Sequence, residues 1–339
     1  MKDLYFAQTY GRLYENIEGG KCEVYDFHHS AGTIRHVFIK REIPITLNGI
    51  SYFDIVTPYA YGGPIILCYE ENRKRELINE FQKAFKYYCN FNNIICEIVR
   101  FHPGISNADD FTGIFDMHYI GDTLGTNLSV CTEPLQEEFS DACKKVIFDA
   151  LEKGVDYRIA AGPYNPRYFK DVFFSIAEYK KEINYKLFNK DYFSSCFEIS
   201  RKNTIIVEAI YEGSTIGISV NLLFNNILQP QISATQHGFN HLSPKHILQY
   251  GLANWGKQNG VGIIHNGGGN TIGEEDDLYL FKKQFGSLSF KYFVGKKVWN
   301  KEIYAKLCNA VGVGIDAEYF PAYRIREQMI VEEEESVKK

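Results

Sequence analysis

The sequence predicts an α/β protein with mixed sheets, built as two domains of one recurring plan. Three observations lead there. At 339 residues the chain exceeds the roughly 100 to 200 residues usual for one domain. Its 45% hydrophobic and 23% charged residues match a packed globular protein and exclude a disordered one. Each half also shows the same order of elements: three strands, an amphipathic helix, a strand.

In the first half, Cys22 to His28 and Thr33 to Lys40 read as strands joined by a turn at Ser30-Ala31-Gly32, and Tyr52 to Val56 as a third. From Arg73 to Tyr88, Leu77, Ile78, Phe81, Ala84, Phe85 and Tyr88 recur at three- and four-residue spacing, which places them on one helix face. Ile94 to Val99 reads as a buried strand. The second half repeats the order with Thr204 to Ile210, Thr215 to Leu223 and Gln231 to Thr235. Its helix takes Ser243 as N-cap and Pro244 at the first position, turns Ile247, Leu248, Leu252 and Trp255 inward, and stops before Gly260. Val261 to His265 is the strand that follows. The copies are offset by about 180 residues, a repeat of topology and not of residue identity.

Between them Pro134 to Lys153 predicts one helix, with Phe139, Cys143, Val146, Ile147, Ala150 and Leu151 on a stripe and Gly154 ending it. A second helix is expected from Arg167 to Lys181. The boundary is therefore set between residues 1–131 and 132–330, and the glutamate run of residues 331–339 reads as a disordered tail.

The 37 basic and 42 acidic residues give a net charge of -5, which argues against a protein wrapped around duplex DNA. No run approaches the roughly 20 apolar residues of a membrane span, and Met1-Lys2-Asp3-Leu4-Tyr5 lacks an apolar signal core. The expected location is cytoplasmic, or peripheral at the inner membrane face. Eight cysteines without a C-x-x-C pair read as reduced, mostly buried small hydrophobes. The 24 Tyr and 25 Phe, against three Met, either line a substrate groove or do the packing that Leu does elsewhere.

Two segments are more specific: Asp54-Ile55-Val56-Thr57-Pro58-Tyr59-Ala60-Tyr61-Gly62-Gly63-Pro64, and Asn266-Gly267-Gly268-Gly269 followed by Asp277 through Phe281-Lys282-Lys283 to Gly286. With Phe38 to Arg41, Lys144-Lys145 and the closing Tyr319 to Arg324, they resemble the FemABX family over nearly the whole chain. The resemblance implies two GNAT-like domains packed side by side. It also implies transfer of an aminoacyl group from aminoacyl-tRNA to an amine of a peptidoglycan precursor, with other surface or peptide acceptors among broader relatives. No heptad pattern marks a long helical arm between the helices of the second domain, and no function is carried over to Glu178 to Lys181.

Acyl transfer to an amine needs an uncharged nucleophile, a place for the developing oxyanion and exclusion of water, and needs no nucleophilic side chain. Neither a G-x-S-x-G elbow nor a catalytic-cysteine signature is present. The resemblance assigns catalysis to Phe281 and Lys282, on a helix opened by Glu274, Glu275, Asp276 and Asp277; lysines in its last turn also simply suit the helix dipole. It places Asn266, Gly267, Gly268 and Gly269 on the donor, where glycines let backbone N–H groups approach an anion; the plain alternative is a loop with positive φ. Tyr59, Tyr61, Gly62 and Gly63 fall on the acceptor side, by stacking and close approach, or else form a turn with packed rings. Asp54 and Glu97 are the acids that could orient or deprotonate the amine.

The glycine-rich loop that grips CoA pyrophosphate in ordinary GNAT enzymes is missing: its place reads Gln236 to Ser243, and Lys257-Gln258-Asn259-Gly260-Val261-Gly262 lies at a helix C-terminus. Aminoacyl-tRNA is therefore favoured as donor, with no bound cofactor, and an acyl-CoA-dependent N-acyltransferase acting on an amino sugar is the alternative. A non-catalytic ligand-binding relative is the third reading. His237 and His241 stand at i, i+4 without a Glu or a third ligand, so no metal is expected.

Overall fold

The computed structural model describes residues 4–161, 173, 203–270 and 275–325. The chain divides into two compact units, Met1–Tyr119 with Phe293–Lys339, and Ile120–Tyr292. The sequence-based boundary near 131 differs because two strands carry the crossing: the chain leaves the first unit within β6 (Asp116–Asn127) and returns within β12 (Leu288–Val298). The expected helix from Arg167 to Lys181, Glu274 and the acidic tail lie outside the described residues.

In the first unit, short helices α1 (Gln8–Leu13) and α2 (Glu15–Glu18) precede a hairpin of β1 (Lys21–His29) and β2 (Gly32–Glu42), closed by the pair His29 and Gly32. The other edge of β2 takes two partners end to end. β4 (Gly63–Tyr69) pairs along Gly32 to Val37, and β3 (Phe53–Val56) along Ile39 to Glu42. The sequence reading missed β4, whose continuous apolar run follows a Gly-Pro pair that reads as a turn. β5 (Ile94–Arg100) runs parallel to β3, and the second half of β12 is antiparallel to β5, so the sheet is mixed.

Helix α3 (Lys74–Phe91) covers this sheet with part of the predicted stripe: Leu77, Phe81 and Phe85 are fully buried, and so is Cys89, which the stripe did not include and which continues their four-residue spacing. Each buried ring removes enough apolar surface for roughly 1.5 to 3 kcal/mol. The small helix α4 (Ala108–Phe111) adds Phe111 to the same core.

The second unit begins with α5 (Pro134–Glu137) and α6 (Asp141–Glu152). The single helix expected over Pro134 to Lys153 is broken at Ser140, whose extended backbone and side-chain oxygen, accepting from Cys143 N at 3.2 Å, restart it as an N-cap. An antiparallel run follows: β7 (Asp156–Ala161), β8 (Thr204–Tyr211), β9 (Ser214–Phe224) and β10 (Ile227–Thr235). After a 3-10 turn at His237–Leu242 come α7 (Pro244–Gln258), β11 (Ile263–Gly267) and α8 (Asp277–Lys283). Pro244 opens α7 as expected, but Ser243 sits in the left-handed region and makes no side-chain cap. In the 3-10 turn, His237 and His241 share no α-helical face.

β11 pairs with β6 on one side and β10 on the other. One apolar core joins α6, α7 and the sheet through Ile147, Ile205, Val207, Ile247 and Leu252. Helix α9 (Lys301–Ala310) completes the first unit. Of the described cysteines only Cys68 is exposed, and all are free thiols. Burial pushes the Cys22 and Cys143 thiols up to about 12. No described helix is long and apolar enough to cross a membrane.

Candidate functional site

The site of the second unit originates in a strand pair that comes apart. β10 and β11 run parallel but pair only at Ile227 with Ile263 and Leu228 with Ile264. Two residues on, Pro230 has no N–H to give, and the β9–β10 register shifts between Pro230 and Ile232. The opening holds a cavity of about 610 Å3 lined by Pro230 and Ser233 of β10, Asn266 of β11, Leu248 and Gln249 of α7, and Phe281 and Lys282 of α8. Asn266, Phe281 and Lys282, three residues singled out in the sequence, are thus brought together.

Helix α8 is fixed at both ends. Asp276 caps it, Oδ1 accepting from Tyr279 N at 2.8 Å, while Oδ2 accepts from Asn270 N at 3.0 Å and ties the glycine loop to the helix. Phe281 packs edge-on against Phe285 at 4.9 Å and His246 at 5.1 Å. Lys282 is thereby held in the cavity wall, and its Nζ donates to Gly268 O at 2.6 Å. Burial drives its ammonium down from the ordinary 10.5 to about 8, opposed in part by the Asp276 carboxylate. Lys283 is exposed, with its ammonium 5.9 Å from the Tyr279 ring.

The three glycines differ. Gly267 takes φ +77, which an L side chain adopts only under strain. At Gly269 a Cβ would meet Asp276 Oδ1 at 2.5 Å, so only glycine lets that carboxylate close the loop. Gly268 has space, its nearest neighbour standing 3.6 Å from a Cβ, and its contribution is the carbonyl that holds Lys282. Asn266 is committed to structure: Oδ1 accepts from Gln249 Nε2 at 2.7 Å and Nδ2 donates to Thr126 Oγ1 at 3.2 Å.

Asn221 of β9 is a residue the sequence reading missed. It is 1% exposed and lines the cavity, donating through Nδ2 to Ile205 O and Ser219 Oγ, both at 3.1 Å. The two donations fix the amide, and Oδ1 is left without a partner. The signal was present: Ser219 and Asn221 place two polar side chains on one face of an otherwise apolar strand.

In the first unit the predicted residues are mostly absorbed by packing. Asp54 is fully buried, with Arg41 Nε on Oδ1 at 2.6 Å, and Arg324 Nε at 2.6 Å and Tyr323 OH at 3.0 Å on Oδ2. Glu97 is equally committed, to His36 Nε2 and, at 3.0 Å, to Trp299 Nε1. Neither acid is placed to take a proton from an amine. Tyr61 is 9% exposed, among Tyr5 and His102, and Gly63, at φ +90, lies where a Cβ would strike Val99. Gly62 is bound at both backbone groups, N to Arg100 O and O from Asn107 Nδ2. Tyr59 alone keeps a large open face, 40% exposed, with its ring stacked on Tyr14 at 5.4 Å.

No protein-family model matches the sequence, and neither does any curated protein. Solved structures do. The chain is similar to the crystal structure of FemX with a TM-score of 0.64 at 10% identity, over 90% of this chain and 94% of that one. It is similar to the C-terminal domain of a putative lysylphosphatidylglycerol synthetase from Agrobacterium fabrum, at 0.55 and 11% identity, over 93% and 94%. A tandem GNAT protein from the clavulanic acid biosynthesis pathway gives 0.52 and 8% identity, over 86% and 94%. With its two units, mixed sheets and splayed strand pair, the chain has the GNAT-related fold of FemX and tandem GNAT proteins.

Proposed function

We propose that the protein is an acyltransferase that moves an aminoacyl group from aminoacyl-tRNA to an amine of a cell-envelope precursor or peptide. The observation that carries this reading is Lys282, a cation held in a cavity wall by Gly268 O, with Phe281 and Asn266 lining the same cavity. Attack by an amine on an ester builds negative charge on the carbonyl oxygen. A desolvated ammonium stabilises such charge more than a solvated one does, because the surrounding dielectric is low. With an acidity near 8, Lys282 is charged at neutral pH and has N–H groups beyond the one given to Gly268.

The rest of the cavity serves the acyl group. Phe281 and Leu248 supply apolar wall, and Asn221 Oδ1 offers a fixed acceptor to an N–H or O–H of the bound group. In this reading Tyr59 offers its open ring to the acceptor, while Tyr61, Gly62, Gly63 and Asp54 hold the loop in shape.

An acyl-CoA donor is the second reading, favoured by the likeness to the tandem GNAT protein, whose structure is described as without AcCoA. Against it, the segment entering α7 is a 3-10 turn followed by Pro244, which has no N–H for a pyrophosphate. The experiment that separates the two incubates the protein with charged tRNA carrying labelled amino acids, or with labelled acetyl-CoA, in the presence of a panel of amines. Label transferred from tRNA alone supports the first reading. Transfer from acetyl-CoA alone replaces it with the second, and transfer from neither removes both.

A further inference from the structure

The first unit contains a second cavity, of about 490 Å3, where the C-terminal half of α3 meets the junction of β12 and α9. Gln82, Lys86 and Asn90, four residues apart, form one wall from a single helix face, and Lys297, Asn300 and Lys301 form the other. Trp299 braces the floor. It is 5% exposed, its Nε1 donates to Glu97, and the Lys297 ammonium lies 5.4 Å from its ring.

The charge balance is unusual for a chain with a net charge of -5. No carboxylate lines this cavity, and among the described residues none of Lys86, Lys297 and Lys301 has an ion-pair partner. Neighbouring lysines that do have partners lie off the cavity: Lys83 pairs with Glu80 at 2.7 Å and Lys306 with Glu302 at 2.6 Å. Glu97, the acid nearest Lys297 in the sheet register, is buried with both oxygens engaged. The Lys297 charge is disfavoured by burial and by the ammoniums of Lys301 and Lys86, opposed in part by the Glu97 carboxylate.

Each cavity-lining group that is not aromatic or aliphatic can donate hydrogen bonds: three ammoniums and three primary amides. Such a set matches an anion with several acceptor oxygens, and the volume falls within the ~300 to 1,000 Å3 of small-molecule sites. Linked phosphates carry more acceptor oxygens and more negative charge than a single phosphate, which suits three ammoniums on two walls. We propose that this cavity binds linked phosphate groups through Lys86, Lys297 and Lys301. On α3 beside Lys86 and Asn90, Tyr87 and Phe91 are 73% and 78% exposed and stack on each other at 6.5 Å. This ring pair offers a face to a base, so a nucleotide and an inorganic diphosphate are the two sources to be told apart.

The site lies in the first unit, and its test does not depend on the acyltransferase reading. Calorimetric titration of the full chain with pyrophosphate should give a Kd of about 1 mM or tighter, with sulfate at least tenfold weaker. Replacing Lys297→Met together with Lys301→Met should weaken pyrophosphate at least tenfold, whereas Lys83→Met and Lys282→Met should leave it unchanged. ADP tighter than pyrophosphate, with the advantage lost in Tyr87→Ala, assigns a nucleotide; equal affinities assign the diphosphate alone. No pyrophosphate or ADP binding in this range would overturn the proposal. So would equal weakening by Lys83→Met, or loss in Lys282→Met with retention in the Lys297 and Lys301 double variant.

Discussion

Lys282→Met should make the protein more stable at neutral pH and change how its stability depends on pH. In the folded chain the ammonium titrates at about 8 in place of 10.5. At about 1.4 kcal/mol for each tenfold change in acidity, keeping it charged costs the native state about 3 kcal/mol below pH 8. Between pH 8 and 10.5 the unfolded chain binds the proton that the native chain has lost, so wild-type stability rises with pH across that window. Methionine has similar length and no charge, which removes the penalty and the rise together. Gly268 O loses its donor in exchange, a loss of about 1 kcal/mol. The net expectation is a gain of about 2 kcal/mol at pH 7 that vanishes by pH 10. Urea unfolding of both proteins at pH 7, 8.5 and 10 measures it, since all other titrating groups cancel in the difference. A constant difference between the two proteins across that range would refute a desolvated Lys282.

Other positions follow the same geometry. Gly268→Ala should fold with stability within about 0.5 kcal/mol of wild type, whereas Gly269→Ala drives a Cβ into Asp276 and should lower the melting temperature measurably. Asp54→Asn leaves Arg41 and Arg324 facing a neutral group and should cost about 3 to 5 kcal/mol in chemical denaturation. Tyr61→Ala should destabilise by about 3 kcal/mol or more through lost ring packing, while Tyr59→Ala, on the open ring, should not.

Local signals carried much of the fold. The turn at Ser30 to Gly32, the three- and four-residue spacing of Leu77 to Tyr88 and Pro244 each act within a few residues, and each element stands where the sequence places it. What was illegible depends on distant partners. β12 becomes a strand by pairing Val294 to Val298 with Arg100 to Cys96, far back in the chain, and the unit boundary falls inside β6 and β12, where no linker composition marks it. The same distance misleads about Asp54, which looks like a free acid until Tyr323 and Arg324, 269 and 270 residues later, fold onto it. In the second unit, the resemblance singled out Phe281 and Lys282, and both line the cavity. The partner of Lys282 was harder, because a backbone carbonyl at Gly268 leaves no trace in residue type.

The proposed role of charged Lys282, support of the developing oxyanion, is read in the pH profile of transfer. With the donor and an amine that transfer label in wild type, kcat should fall as pH rises through about 8, as Lys282 loses its proton. Lys282→Met should be lower by a hundredfold or more at pH 7 and show no such fall. Transfer by Lys282→Met at the wild-type rate, with the same profile, would remove Lys282 from the chemistry.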